Sequence, residues 1–548
     1  MGERRGVYKE IGRNMEMDIS VFEVIGPVMV GPSSSGTAGM ARLGWAAGRF
    51  LDGPVKKIHL AFHPRLQDYA GLRSHVALVG GVLGMREYDP NLKHALDIAR
   101  ERGIQLTAGK LKPPLPDALV VKLYMEQESG VVRTVEGISV GGGSISITAI
   151  DDFPVELIST EKYLFVWADA NVSEAILRMM PPETELKKSE KEGKSLFYMG
   201  VSPQLKEEPV KEGLQKIPGV TKALFTEPFL SFGYRPYQPL FTTFADLMRL
   251  TDETGKDIPE LAIEYEMDRS GRTRQEIWDE MKASLDYMRE SVQTGLEEEL
   301  HTLFGFGTGA DGKKMMKALA EGRTLSGSTM SRAFAKALAT MEMDCSMNRI
   351  VAAPTGGSAG IVPGCILTIQ EDRGCSDEEL VKSLFVAAAA GICMYYQNAN
   401  FSGMRGGCQG EIGVSSAIAA AALAYLGGGD TKTICHAMAL SMKNLLGLIC
   451  DRIGGSSEIP CIRRNCVGVA NAFAGCDMAL AGITSYISPD EVIAALCNTQ
   501  KLLPAALRGG YGGLGCTLGA KHAREIEAKI NQSLRLPEVD TIDSEEHA

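Results

Sequence analysis

Three regimes of apolar patterning follow one another along the chain. Over residues 1–150, β-rich apolar runs alternate with Gly-rich turns: VFEVIGPVMVGPSSSGTAG (21–39), ALVGGVLG (77–84) and ALVVKLYME (118–126). That alternation predicts an α/β domain. From about 151 to 228 come YLFVWAD, a helical NVSEAILRMM, SLFYMGV, a second helical stretch and GVTKALF. Strand, helix, strand, helix, strand is the order of a small ferredoxin-like module, set at 151–235. FGYRPYQP (232–239), with two prolines and no apolar period, reads as a linker.

From Phe241 onward the period becomes helical. Thr273 to Glu276 and Ser376 to Glu379 fit the capping box, and Ser488, Pro489 and Glu491 fit N-cap, N1 and N3. Residues 240–548 are therefore expected to form a mostly α-helical domain, and the whole chain an α+β multidomain protein. Runs such as FVAAAAGIC and SSAIAAAALAYLGGG let helices pack closely around something central, or simply around one another.

Composition narrows the function. The chain has 548 residues, 45% hydrophobic and 23% charged, enough for two to four domains. A net charge of -11 argues against nucleic acid, which is held by clustered Lys and Arg. The first 20 residues have no apolar core of a secretory signal, and Ala417 to Leu426 falls short of the ~20 residues a membrane span needs. The expectation is a cytoplasmic protein with a small-molecule substrate and no nucleic-acid or membrane partner, and a homodimer as the default assembly. With eight histidines and no HxH or HExxH spacing, a zinc enzyme is not indicated. GGSAG (356–360) matches a nucleophile elbow without the Ser-Asp-His order, and GFGTGADG (305–312) follows a helical run rather than a strand.

All 12 cysteines fall between Cys345 and Cys516. In a reducing compartment they are either buried small hydrophobes or ligands for a soft metal centre. Cys408 (SGMRGGCQGE), Cys450 (LGLICDRIGG) and Cys461 (SEIPCIRRN) each adjoin glycine, proline or a turn signal, whereas Cys393 and Cys435 sit inside apolar helical periods. Three thiolates can bind three irons of a 4Fe-4S cluster and leave the fourth open as a Lewis acid. Their spacing alone, with no compact CxxC run, does not choose between the two readings.

The stretches GPSSSGTAGMARLG (31–44), SVGGG (139–143), LSGS (325–328), RIVAAPTGGSAGIVPG (349–364), NANFSGMRGGCQGEIGV (398–414) and IPCIRRN (459–465) resemble, in order, the landmarks of single-chain iron-sulfur-dependent L-serine dehydratases. The resemblance implies a 4Fe-4S cluster on Cys408, Cys450 and Cys461, an N-terminal α/β domain beside a helical cluster domain, and an ACT-like amino-acid sensor between them. It also implies β-elimination of a small amino acid to a 2-keto acid and ammonia. Ser33, Ser34, Ser35, Thr37, Ser326, Ser328, Thr355, Ser358 and Asn398 are the expected substrate-binding positions, hydroxyls among glycines being good anion donors.

Four positions depart from the family pattern. Gly36 stands where the family's acid-base histidine is expected; His75, in altered company, is the nearest match to its second histidine, with His59 and His63 as further candidates. Arg405 replaces an acid and Arg452 a proline. His75 and Arg405 are thus the candidate catalytic residues, and the arginines suit an additional anionic group on the substrate. Where the base is lost, an iron-sulfur or amino-acid sensor is the alternative to a lyase. Some relatives use a C-terminal cysteine as fourth iron ligand; this chain ends SEEHA.

Overall fold

The computed structural model describes residues 19–66, 69–111, 120–157, 162–169, 171–202, 205–229, 238–307, 309–453, 457–509 and 512–539. A short strand β1 (Val28–Val30) precedes a six-stranded sheet made of β2 (Val55–Phe62), β3 (Gln105–Lys110), β4 (Val120–Gln127), β5 (Val132–Gly141), β6 (Ser144–Ile150) and β7 (Phe153–Pro154). Its order is β3-β2-β4-β5-β6-β7, with only β2 and β3 parallel. The α/β character expected here is present, but two segments that read as strand-rich differ. Residues 77–82 belong to the helix Ser74–Val82, and 21–39 contains the helix Val21–Val24 and a π-helical turn at Ser34–Ala38 beside β1. Every residue of Ser74–Val82 is buried, so no polar face marks its period. It lies against the helix Gly39–Gly48 so closely that a Cβ on Gly44 would fall 2.1 Å from the Leu78 carbonyl oxygen.

Between β7 and residue 229 a second sheet joins β8 (Lys162–Ala168), β9 (Lys187–Lys191), β10 (Lys194–Val201) and β11 (Val220–Thr226) in the order β11-β8-β10-β9, all antiparallel. Helices Ser173–Leu177 and Glu207–Gln215 complete a β-α-β-β-α-β run with its own core around Leu164, Phe197 and Leu214. One of these strands is not expected from the sequence. β9 is KKSEK, an edge strand with no apolar alternation, and charge on an edge is how sheets avoid further pairing. The 232–239 linker lies mostly outside the described residues.

The remainder is helical, and its ends obey the local signals. Thr273, Ser376 and Ser488 each close a capping box with Glu276, Glu379 and Glu491. Helices Asp377–Tyr396 and Val414–Leu426 run through the core, where Cys393 and Cys435 are buried among apolar side chains. Asp377–Tyr396 is long and apolar enough to span a bilayer, contrary to the expectation from sequence; 78% of its apolar window is buried against the rest of the protein.

The chain does not divide cleanly at residue 150. Ile19, Phe22 and Ile25 are part of the helical core, and β1 pairs antiparallel with β12 (Arg349–Val351). At the other end, the Ala108 amide of β3 donates to the Pro537 carbonyl. The first and last segments therefore cross between the two parts and place the 31–37 turn against the helical half.

Candidate active site

Cys408, Cys450 and Cys461 come from three segments that converge. Cys408 follows Gly407, whose φ of 79° favours glycine, and opens the π-helical turn Gln409–Gly413. Cys450 is held by a backbone bridge, donating its amide to the Leu507 carbonyl and accepting from the Gly509 amide. Cys461 is the first residue of the helix Cys461–Leu480. All three are buried. The Cys408 thiol hydrogen-bonds Cys450, which keeps the proton on Cys408 and holds the Cys450 thiol below its ordinary value. Burial, followed by the neighbouring Glu411 and Cys450, pushes Cys461 up.

Two charged residues fix this arrangement. Arg464, one turn into the Cys461 helix, donates through Nη1 to Cys408 Sγ at 3.3 Å and the Ile449 carbonyl at 2.9 Å, and through Nη2 to Asp451 at 2.5 Å. One guanidinium thus ties all three cysteine segments together. Glu458, fully buried, accepts from Thr302 Oγ1 (2.8 Å) and the amides of Phe304 (2.7 Å), Phe306 (2.8 Å) and Gly307 (3.0 Å), anchoring the turn before Cys461.

Two hydroxyl-bearing turns meet at Asp344, and the second of them also reaches the cysteines through Glu411. In the first, Ser33 accepts from the Gly36 amide at 3.0 Å, and Thr37 donates to the Leu72 carbonyl at 2.8 Å. In the second, Thr355 donates to Glu411 at 2.7 Å, while Ser358 bonds back into its own turn through the Ala353 and Thr355 carbonyls. Gly357 admits Glu411, since a Cβ there would meet its Oε1 at 2.6 Å; one on Gly403 would meet Glu411 at 2.8 Å and Cys450 Sγ at 3.3 Å. Burial raises the Glu411 pKa against the Thr355 hydrogen bond and the charges of Arg452 and Arg464.

Asp344 lies between the turns. A Cβ on Gly31 would fall 2.4 Å from its Oδ1, and one on Gly356 3.2 Å. The residue is fully buried, and neither carboxylate oxygen has a hydrogen-bond partner among the described residues. Burial, with Glu411 facing it, pushes its pKa up to about 7.

The structure sorts the sequence-derived candidates. Ser33, Ser34, Ser35, Thr37, Thr355 and Ser358 lie in the two turns. Ser326 and Ser328 do not join them: they are exposed at the start of the helix Gly327–Cys345, whose 19 residues put them roughly 27 Å from its other end, where Asp344 sits. Asn398 and Arg405 line a cavity of about 560 Å³ with Lys501 and Arg508, and none of the three cysteines lines it. Arg405 is exposed, whereas Arg452 bears electrostatically on Glu411, Cys450 and Cys461.

His75 packs against Tyr69, ring centroids 5.1 Å apart, and desolvation lowers its pKa to about 4. His59 is likewise lowered to about 4 by burial and meets Thr107 at 2.9 Å, while His63 follows β2 and is buried. At Gly36 a Cβ would lie 2.5 Å from Leu72 Cδ1; leucine fills the space beside that backbone. Asp344, Glu411, Glu458 and Arg464 carry no mark in the sequence that singles them out. Asp344 and Glu458 are charges buried by distant segments, whereas half-buried Glu411 and Arg464 stand inside the NANFSGMRGGCQGEIGV and IPCIRRN landmarks.

Residues 253–511 match the family model described as serine dehydratase alpha chain. A probable L-serine dehydratase alpha chain from Bacillus subtilis is 40% identical over 292 residues, 53% of this chain and 95% of that one. The chain belongs to the serine dehydratase family. The L-serine dehydratase alpha chain of Peptoniphilus asaccharolyticus is 35% identical over 52% of this chain and 98% of its own length. The L-serine dehydratase of Haemophilus influenzae is 26% identical over 518 residues, 90% of this chain and 98% of the relative, which supports the single-chain fused form.

Among the described residues no three His, Cys, Asp or Glu converge closely enough for one metal ion. A cluster spreads its ligands over several irons, so its cysteines need not meet at one point. Three buried thiols on separate turns, with Arg464 donating to a sulfur and cationic Arg452 nearby, form a donor set suited to such a group and to the thiolate charge it requires.

Proposed function

We propose that the protein is an iron-sulfur-dependent lyase that converts L-serine, or a closely related small β-substituted amino acid, to a 2-keto acid and ammonia. The observation that carries this reading is the convergence of buried Cys408, Cys450 and Cys461 around Arg464. These cysteines would hold a 4Fe-4S cluster, which supplies a Lewis acid for the substrate's leaving hydroxyl.

The chain's own residues supply the rest. Ser33, Ser34 and Ser35 present hydroxyl and backbone donors to the substrate carboxylate from one turn, while Thr355 on the other gives its hydroxyl hydrogen to Glu411. Glu411, hydrogen-bonded by Thr355, faces the cysteines and is placed to exchange a proton with the departing oxygen. Both turns are largely buried, which restricts water around the reacting carbon. Proton removal at Cα and loss of hydroxide from Cβ leave 2-aminoacrylate, which tautomerises and hydrolyses to the keto acid and ammonia.

This reading includes a reducing, cytoplasmic setting, which twelve free thiols favour, and a homodimer. The β8–β11 module has the β-α-β-β-α-β order of an ACT-like sensor and is assigned amino-acid regulation on that likeness. The test is anaerobic cluster reconstitution followed by a panel of L-serine, L-threonine and L-cysteine. Keto acid from one of them, lost in Cys461→Ala, supports the reading; an iron-free protein that consumes none contradicts it.

A further inference from the structure

The elimination needs a base for the α-proton, and Gly36 provides no side chain where relatives are expected to carry the imidazole. The histidines of the first domain do not fill the gap. His75, enclosed by Tyr69 and the Leu534 backbone with neither ring nitrogen hydrogen-bonded among the described residues, has its pKa lowered to about 4 by burial and is a weak base at neutral pH, while His59 is engaged with Thr107 in the sheet. Lys336 is paired with Glu371, and Glu411 is hydrogen-bonded by Thr355 on the cysteine side.

Asp344 remains. Its carboxyl lies between Gly31, which opens the Ser33 to Thr37 turn, and Gly356, in the Thr355 to Ser358 turn. No donor satisfies either oxygen among the described residues, so a fully desolvated carboxyl is held at the seam of the two hydroxyl-bearing turns. A structural carboxylate so enclosed is ordinarily paired, as Glu458 is by four donors. Across the Gly356–Gly357 step stands Glu411, so two carboxyls face the site from opposite sides of one turn.

We propose that Asp344 is the base that removes the α-proton, an assignment that rests on the lyase reading above. Its carboxylate takes the Cα proton, the released pair forms the Cα=Cβ bond, and the Cβ–O bond breaks to release hydroxide. Glu411 and Asp344 then divide the work, one at the leaving oxygen and one at the α-carbon. Burial that raises a carboxyl toward neutrality suits it to this task, because a base works best with a pKa near the working pH.

The test uses reconstituted holoenzyme. Asp344→Asn keeps the shape and removes the base; Asp344→Ser serves if the amide is not tolerated. The expected result is a fall in kcat of about 100-fold or more, with L-serine binding by calorimetry and the substrate-induced change in the cluster spectrum both retained. Solvent deuterium entry at Cα of unreacted L-serine should fall with it. Turnover within about fivefold of wild type, a fall smaller than general-base catalysis supplies, overturns the assignment, and so does a parallel loss of binding, which would make Asp344 an anchor for the substrate. A wild type that holds no iron and consumes no L-serine fails at the lyase reading; an active wild type with an unimpaired variant fails at the base alone.

Discussion

Replacing Asp344 by asparagine should stabilise the ligand-free protein, and by an amount that depends on pH. An aspartate carboxyl ordinarily titrates at 3.8, and burial together with Glu411 raises this one to about 7 in the fold. A carboxyl raised on folding contributes full stability below the unfolded value and loses it as pH climbs through the folded one. Between about pH 4 and 7 the unfolded chain is ionised while the folded chain still binds the proton. Each tenfold change in proton affinity is worth about 1.4 kcal/mol, so the burden carried by wild type is about 2 kcal/mol at pH 5 and about 4 kcal/mol at pH 8. Asparagine is close in shape and has no charge to desolvate. Urea unfolding of both proteins at pH 5 and pH 8 should therefore show the variant's advantage growing by about 2 kcal/mol between them. An advantage that is the same at both pH values, or a variant less stable than wild type at pH 8, would refute the claim that Asp344 is buried without a partner.

Glu458→Ala strips the acceptor from three backbone amides and the Thr302 hydroxyl. A loss of about 3 kcal/mol or more is expected, seen as a lower melting temperature together with reduced iron retention. Arg464→Met keeps most of the volume but removes the donor to Cys408 and unpairs buried Asp451. It should cost about 3 kcal/mol and release iron faster to a chelator than wild type does; unchanged release would show that the guanidinium does not hold the cysteine segments.

How much is legible in the sequence depends on whether the signal is local. Thr273, Ser376 and Ser488 announce their helices because a capping box is closed within four residues. The helix Ser74–Val82 reads as strand-rich because burial on all sides removes its polar face, and KKSEK escapes notice because a charged edge has no alternation to read. Cys408, Cys450 and Cys461 stand out by their glycine and proline neighbours, and the structure brings them together. Ser326 and Ser328 look like Ser33 and Thr355 in composition, yet a long helix carries them away. Asp344 and Glu458 have no local mark at all, since what distinguishes a buried carboxylate is the distant segment that covers it.

Cys408, Cys450 and Cys461 are proposed to hold an iron-sulfur cluster on which L-serine acts. This assignment is tested most directly by purifying the protein without oxygen, measuring iron and sulfide per chain, and recording the absorption and EPR spectra before and after adding L-serine. About four irons and four sulfides per chain are expected, with a spectrum altered by the substrate and loss of both in Cys461→Ala. Iron-free protein after reconstitution, or a cluster unchanged by removing Cys461, would contradict that assignment.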